Sequence, residues 1–308
     1  TWGPAIETAI SEGVRCVTWG RDYIGGQIVA SLDSSYLLAN MMESNAHWQN
    51  KDLSPQQRER TLRYFLSKRD PESGVDCITY YSKKSTGDKE SLLEKLNLSP
   101  ERRRLGLFPS ILWDAQTFTA SAVFPKVIDW VRCTIEWIKQ NPDVDLIIRA
   151  HPAEQPRIGN KRLETFEMLL KEICPQYPPN MRFINAQRRD ISSYDVSEIC
   201  EASLMYGSTI GLELAVVGHP VISAGRIHWS NKGIMFDVES IEHYKTLLEA
   251  AASGNLYMPE EMKERAIKYA HYWIFEKHMP ETLINHKSLV FTGYKINSSM
   301  DLGPGENA

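Results

Sequence analysis

The sequence predicts an α/β protein built around a parallel, doubly wound sheet. From Leu105 onward, short apolar runs alternate with amphipathic helical patterns, which is typical of a parallel sheet covered by helices on both faces. Polar or glycine-containing turns follow several of the apolar runs, and Gly207-Ser208-Thr209 is the best defined of them. The pattern therefore buries the strands and leaves candidate functional groups at their ends.

The composition is that of a globular protein and argues against several functional classes. The chain has 308 residues, enough for two domains, and a formal net charge of −4, which is not expected of a nucleic-acid-binding protein. No apolar run reaches the roughly 18 residues that a membrane span requires. The five cysteines are widely separated and form no C-x-x-C pair, so we expect reduced thiols and a cytoplasmic protein, with the inner face of the membrane as the alternative location.

The first hundred residues are predicted to form a domain of their own, with few strands. The expected elements are a helix over 1–13, strands over Val14–Trp19 and Cys77–Tyr81, and helices from Ser54 to Arg69 and from Asp88 to Leu96. Residues 21–40 are predicted to be a polar loop. The charged segment Asn97–Arg104 is predicted to link domain 1–100 to domain 101–285, and a tail follows over 286–308.

A helix followed by a strand is an unusual start for a parallel α/β domain, which normally opens on a strand. We therefore expect the sheet of residues 1–100 to be incomplete, with further strands upstream. Its unpaired side should expose apolar residues such as Ile6, Ile10, Val17 or Ile28, and an exposed apolar face favours self-association.

The second domain is predicted to alternate regularly between strands and helices. The expected strands are Leu105–Pro109, Asp145–Ala150, Met181–Asn185, Ser203–Tyr206 and Val221–Ile222. The expected helices are Phe124–Gln140, Lys161–Ile173, Ser193–Glu201, Ile210–Val217, Ile241–Ala252 and Pro259–His278. Gly218 and Pro220 end the fourth of these helices, because glycine favours the residue after a helix and proline cannot continue it.

Three predicted strand ends carry polar groups. Ser110 and Asp114 follow the first strand, Arg149, His151 and Glu154 lie at the end of the second, and Gly207, Ser208 and Thr209 follow the fourth. Ligands of open α/β sheets bind beyond the carboxyl ends of the strands. A cation and an imidazole opposite a helix start suit a phosphate or diphosphate, and Glu213, one turn after Thr209, suits ribose hydroxyls.

The runs Ile147-Ile-Arg-Ala-His-Pro-Ala-Glu154, Tyr206-Gly-Ser-Thr-Ile-Gly-Leu-Glu213 and Gly218-His-Pro-Val-Ile222 resemble the donor half of a GT-B glycosyltransferase. The resemblance is to bacterial capsule and surface-polysaccharide biosynthesis proteins with a His-Pro motif. It implies a GT-B-like fold of two Rossmann-like, doubly wound parallel-sheet domains. It also implies that His151, Ser208 and Thr209 contact the donor phosphate and that Glu213 contacts the ribose.

The resemblance implies transfer of a sugar from a nucleotide-sugar donor, CMP- or UDP-linked, to a glycan or lipid-linked glycan acceptor. The catalytic candidates are His151 and, as a general base from the N-terminal domain, Asp33 or Asp22. We expect no cofactor and no divalent metal, because the chain has no C-x-x-C pair and no His cluster at ligand spacing. The alternatives are a teichoic-acid-type polyol-phosphate transferase and a non-catalytic nucleotide-sugar-binding half.

Overall fold

The computed structural model describes residues 3–21, 27–35, 43–73, 88–112, 123–154, 165–280, 284–287 and 290–294. The first elements are α1 (Gly3–Ser11), β1 (Val17–Arg21), β2 (Gln27–Leu32), α2 (Pro55–Ser67) and α3 (Lys89–Lys95). Next come β3 (Arg103–Phe108), α4 (Val127–Gln140), β4 (Val144–Arg149), α5 (Phe166–Ile173), β5 (Met181–Ile184), α6 (Ser193–Glu198), β6 (Ala202–Met205), α7 (Ile210–Val216), β7 (Val221–Ser223) and β8 (Phe236–Asp237). The last are α8 (Ile241–Ala252), α9 (Glu260–His271), a π-helix (Tyr272–Glu276), β9 (Met279–Pro280), β10 (Ile284–Lys287) and β11 (Val290–Tyr294).

The centre of the molecule is a six-stranded, fully parallel sheet in the order β5-β4-β3-β6-β7-β8. Counted from its own first strand, this is the order 3-2-1-4-5-6 of Rossmann-type folds. The chain order reverses between β3 and β6, so the connections that leave these two strands run in opposite directions. The predicted α/β class and the parallel sheet are confirmed.

Helices cover both faces of the sheet, and each face has its own apolar core. One core joins the sheet to α4, α5 and α8, and the other joins it to α2, α3, α6, α7 and α9. Alternate residues of a strand divide between the two cores, as Leu107 and Phe108 do at the end of β3. Among the described residues, no helix combines the length and the apolar character needed to cross a membrane.

The helix after β6 ends as the sequence predicts, at a glycine with a positive φ. Gly218 has a φ of 84°. Its N–H donates to Ala215 O, and His219 N–H donates to Leu214 O, both at 3.0 Å. These two bonds form a Schellman motif, which only a residue tolerant of the left-handed conformation completes without strain. The start of α2 is equally local in origin, because Ser54 and Gln57 form a capping box.

The strands described in the first hundred residues differ from the parallel strands expected there. β1 and β2 pair antiparallel, and β9 adds a third antiparallel strand beside β2. Five residues separate β1 from β2, and so short a connection permits a hairpin but not a parallel crossover. β2 also lies inside the segment 21–40 that was predicted to be a polar loop, because Ile28-Val29-Ala30 pairs with β1 instead of facing water.

One face of this small sheet is apolar and exposed. The exposed large apolar side chains of this region are Ile10, Val14, Val17, Trp19, Leu32 and Met279, with Val17 exposed by 68%. The prediction that Ile10 and Val17 are exposed is confirmed, whereas Ile6 and Ile28 are half-buried because their neighbours partly cover them. Self-association through this face stays a prediction, and the predicted strand Cys77–Tyr81 and the tail from residue 295 lie outside the described residues.

The segment predicted to link two domains is packed against the rest of the chain. Leu96 and Leu98 are buried in the same core as Phe65 and the helix α7. Arg182 also donates to the main-chain oxygens of Leu96 and Asn97, both at 3.0 Å. The division into domains at residue 100 stays a prediction.

Candidate functional site

The reversal of strand order between β3 and β6 places two predicted site residues together. Ser110 follows β3 and Gly207 follows β6, and a Cβ atom on Gly207 would lie 3.4 Å from Ser110 Oγ. Ser110 is 4% exposed, and its hydroxyl has no hydrogen-bond partner among the described residues. Ser110 and Gly207 lie at the switch point of the sheet, which is where open α/β folds bind ligands. The buried hydroxyl and the residue without a side chain are therefore candidate parts of a binding site.

The turn after β6 leads to a buried carboxylate, Glu213, whose side chain is 7% exposed. Lys68 Nζ donates to Glu213 Oε1 at 3.2 Å, and the Tyr194 hydroxyl donates to Oε2. A hydrogen bond with Thr209 completes the set. Burial alone raises the pKa of Glu213, but the positive charge of Lys68 and these hydrogen bonds outweigh burial and lower the pKa below its usual value.

A cavity of about 20 Å³ lies beside this carboxylate. Its lining comes from four parts of the chain: Tyr64, Phe65, Lys68, Thr209, Leu212, Glu213, Trp229, Trp273 and Ile274. The volume is about that needed for one water molecule. Aromatic rings form much of the wall, and Lys68 Nζ lies 5.8 Å from the centroid of the Tyr64 ring.

Arg149 is held by main-chain oxygens. Its side chain is buried, and Nη1 donates to the oxygens of Ala150 at 3.1 Å and Asn185 at 2.6 Å, while Nη2 donates to Arg188 O at 3.1 Å. Asn185 and Arg188 follow β5, on the side of β4 away from β6. β3 lies between β4 and β6, so these two strands are about 10 Å apart rather than neighbours. No described hydrogen bond or ion pair joins Arg149 to Ser208 or Thr209, and its role toward a phosphate stays a prediction.

His151 and Glu154 follow β4, as predicted, and both bond locally. Ala153 N–H donates to His151 Nδ1 at 3.1 Å. Phe166 N–H donates to Glu154 Oε2 at 3.1 Å, at the start of α5. Glu154 thus accepts from the first N–H of α5, and a negative charge is favourable at the N-terminus of a helix. Their predicted contacts with a donor stay predictions.

Of the two candidate general bases, Asp33 and Asp22, the structure describes Asp33. Asp33 follows β2 with a φ of 51°, accepts from Cys16 N–H at 2.9 Å and pairs with Arg15 at 2.7 Å. None of its described contacts is to a residue that lines the cavity. Asp22 and Asp114 lie outside the described residues.

An Asp-x-Asp sequence, which binds a metal in the other glycosyltransferase architecture, is present at Asp143-Val144-Asp145, and the expectation of metal-free catalysis overlooks it. Asp145 is buried at the start of β4, at the opposite end of the sheet from Gly207, and Arg102 Nε donates to it at 2.9 Å. Burial raises its pKa, and Arg102 opposes this effect. Among the described residues, no three His, Cys, Asp or Glu side chains are grouped so that they hold a metal ion.

The cavity residues that were not predicted from the sequence include Lys68, Trp229 and Trp273. The eight tryptophans and thirteen tyrosines of the chain do not by themselves indicate which rings line a cavity. Lys68 carries no sequence signal for a site, because it directly follows an ordinary amphipathic helix and lies 145 residues from Glu213.

Comparison with known proteins gives structural likeness at low sequence identity. No family model matches the chain, and no curated protein matches it. Two KpsC structures of Thermosulfurimonas dismutans are similar. The β-Kdo 2,4-transferase has a TM-score of 0.48 and 11% identity, over 86% of this chain and 75% of that chain. The β-Kdo 2,7-transferase has a TM-score of 0.47 and 14% identity, over 91% and 77%.

The wall teichoic acid polymerase TagF is also similar, with a TM-score of 0.36 and 12% identity, over 60% of this chain and 41% of that chain. The chain is therefore structurally similar to transferases named for Kdo transfer and for wall teichoic acid synthesis. TM-scores below 0.5 do not establish a shared activity.

Proposed function

We propose that this protein is a glycosyltransferase that moves a sugar from a nucleotide-sugar donor to a surface or capsular polysaccharide acceptor. The observation that carries the proposal is the switch point, where the Ser110 hydroxyl lies beside Gly207 and has no hydrogen-bond partner among the described residues. Rossmann-type sheets bind nucleotides at this place. The resemblance of the runs around His151 and Glu213 to the donor half of GT-B enzymes supports a sugar nucleotide as the ligand.

In this proposal the donor phosphates lie at the ends of β3, β4 and β6. Ser110, Ser208 and Thr209 donate hydrogen bonds, and Gly207 leaves room for the phosphate. Arg149 supplies positive charge, and His151 donates through Nε2, because its Nδ1 accepts from Ala153 N–H. Glu154 and Asp114 are further donor-binding candidates, and Glu213 contacts the ribose. Because every oxygen of Glu213 already has a donor in this structure, ribose binding requires it to accept a further bond or to exchange a partner.

The reaction breaks the bond between the sugar carbon and the phosphate oxygen of the donor. The acceptor hydroxyl forms the new bond, its proton passes to a carboxylate base, and the nucleotide leaves with the electron pair. Asp33 and Asp22 are the proposed bases. Hydrogen-bond donors and cations stabilise the charge on the leaving nucleotide, and we propose that no divalent metal is needed.

Nucleotide binding is tested by thermal shift with CMP, UDP, GDP and ADP. A nucleotide at about 100 times its Kd adds about 2.7 kcal/mol to the stability. Ser110→Ala should weaken binding by about 1 kcal/mol, the value of one hydrogen bond. Ser203→Ala is the matched control, because Ser203 is also buried but bonds His219 at 2.9 Å near the opposite end of the sheet. Binding that depends equally on both serines would contradict the site.

Transfer is tested with the nucleotide sugar whose nucleotide binds. Sugar transfer or donor hydrolysis by this chain is the expected result, and EDTA should leave the rate unchanged. Release of CMP with phosphorus retained in the product would identify a polyol-phosphate transferase instead. Binding without transfer or hydrolysis would identify a non-catalytic nucleotide-sugar-binding protein.

A further inference from the structure

The cavity beside Glu213 is lined by hydrogen-bond donors that lack an acceptor. Trp229 and Trp273 both line it and are 1% and 3% exposed, and neither indole N–H has a partner among the described residues. Buried N–H groups in folded proteins are almost always paired with protein, water or ligand. The cavity that both tryptophans line is a candidate place for such a partner.

The charge around the cavity also favours an acceptor. The Lys68 side chain is 8% exposed, and Lys68 lines the same space as the two tryptophans. The Thr209 side chain lines it too. Glu213 is the carboxylate among the lining residues, and it already accepts hydrogen bonds from Lys68, Tyr194 and Thr209. The lining therefore offers a ligand more hydrogen-bond donors than acceptors.

The volume of the cavity limits the size of the group that it can hold. A space of about 20 Å³ holds one water-sized group. A terminal oxygen of a phosphate or carboxylate has this size, whereas a sugar ring or a nucleobase does not.

The backbone at the cavity wall is irregular. Trp273 and Ile274 belong to the π-helix that follows α9. Single π-helical turns are rare and frequently occur at functional sites, because the wider turn redirects side chains. Here the π-helical turn includes Trp273, one of the two indoles without an acceptor.

We propose that this cavity is an oxyanion subsite, in which Lys68, Trp229 and Trp273 bind a terminal oxygen of a phosphate or carboxylate on the substrate. The assignment rests on the proposed function, since it places an anionic group of the donor or its sugar beside Glu213. Lys68 then supplies a cation whose present partner, Glu213, is a side chain able to exchange partners. Arg149 is bound instead to main-chain oxygens that the fold holds in place.

The subsite is tested with inorganic phosphate and sodium acetate, added at constant ionic strength maintained by NaCl. The dependence of the melting temperature on anion concentration gives the Kd for each variant against its own baseline. Because loss of Lys68 alone leaves Glu213 charged and buried, the cation is removed in the charge-neutral double variant Lys68→Met with Glu213→Gln. Glu213→Gln alone retains the cation and removes its competitor.

The wild type should bind at least one of the two anions saturably, and Glu213→Gln should bind it at least as tightly. The double variant, Trp229→Phe and Trp273→Phe should each lose at least about tenfold in affinity. Trp48→Phe is the matched control and should change nothing, because the Trp48 indole N–H is also buried without a partner among the described residues but does not line the cavity. Phosphate binding alone identifies a phosphate subsite, and acetate binding alone identifies a carboxylate subsite.

Wild-type affinity in the double variant, or no saturable binding of either anion to wild type and Glu213→Gln, would overturn the subsite. CMP, UDP, GDP and ADP are titrated in parallel. If the anion binds through Lys68 but no nucleotide binds, the subsite holds and the proposed function fails. If nucleotides bind while the anions do not, the proposed function holds and the subsite fails.

Discussion

Two buried cations, Arg149 and Lys68, lie in the half of the molecule that carries the candidate site, and they differ in what they bind. Arg149 donates to the main-chain oxygens of Ala150, Ile184, Asn185 and Arg188, around the end of β4 and of β5. Lys68 donates to the side chain of Glu213 beside a small cavity. Both are nearly excluded from water, so burial by itself does not distinguish them.

The difference lies in whether the partner can move. Main-chain oxygens are held by the sheet and its turns, so a guanidinium bound to them secures the fold. A carboxylate on a helix can exchange partners when a competing anion arrives. A cation with a carboxylate partner and an adjacent cavity is therefore better suited to ligand binding than one bound to main chain, although arginine matches phosphate geometry better in general.

The largest expected effect is on stability when Arg149 is removed. Arg149→Met leaves the oxygens of Ala150, Asn185 and Arg188 without their donor. Charge-assisted hydrogen bonds contribute about 1.5–3 kcal/mol each, so the variant should lose about 5 kcal/mol or fail to fold. Urea denaturation measures the loss. A nearly unchanged midpoint would show that these bonds contribute little to the stability of the fold.

Removal of Lys68 should cost less, and the cost should depend on Glu213. Lys68→Met leaves a buried carboxylate unpaired and should lose about 3 kcal/mol. The double variant with Glu213→Gln should recover most of that loss, because no charge is then left without a partner. A double-mutant cycle in urea measures the coupling. Additive effects would show that the pair is not coupled.

Acid should act through the same pair. The pKa of Glu213 lies below its usual value in the folded protein. Its contribution to stability is therefore complete above the unfolded pKa of about 4.3 and is lost as the pH falls through the lower folded value. The wild type should lose more stability between pH 6 and pH 3 than the Lys68→Met, Glu213→Gln double variant does. Parallel curves for the two proteins would contradict the assignment.

The smallest effect is expected at Asp237, a half-buried carboxylate whose hydrogen-bond donor is a main-chain N–H. Asp237 accepts from Asn231 N–H at 2.9 Å, and burial raises its pKa to about 6. Because the folded pKa exceeds the unfolded one, the contribution to stability is present below about pH 4 and is lost as the pH rises to about 6. Asp237→Asn should remove this pH dependence and raise stability at pH 8 by roughly 1 kcal/mol. Thermal melts at pH 4 and pH 8 measure it, and a variant less stable than wild type at pH 8 would contradict it.

Features that depend on residues close together in the chain could be predicted from the amino-acid pattern alone. The strands and helices from Leu105 to Ala252, the cap at Ser54 and the glycine at the end of α7 follow from periodicity and backbone preference. The positions of Ser110, His151 and Gly207 after strands could be predicted, because the apolar pattern indicates where those strands end. The amino-acid pattern does not predict the hairpin of β1 and β2, because polar residues flank the short apolar run of β2. The antiparallel pairing of the two strands follows from the short connection between them.

The packing of the whole chain determines which of these site residues lie close together. The strand order placed β3 between β4 and β6, and thereby brought Ser110 to Gly207 while the bonds of Arg149 run toward the turn after β5. It also brought Lys68 to Glu213 across 145 residues and brought two indoles to the same cavity. Local patterns record what each residue does within its own helix or strand, whereas contacts between distant elements follow from the packing of the whole chain. That is the physical reason why the cavity and its cation were found only in the folded molecule.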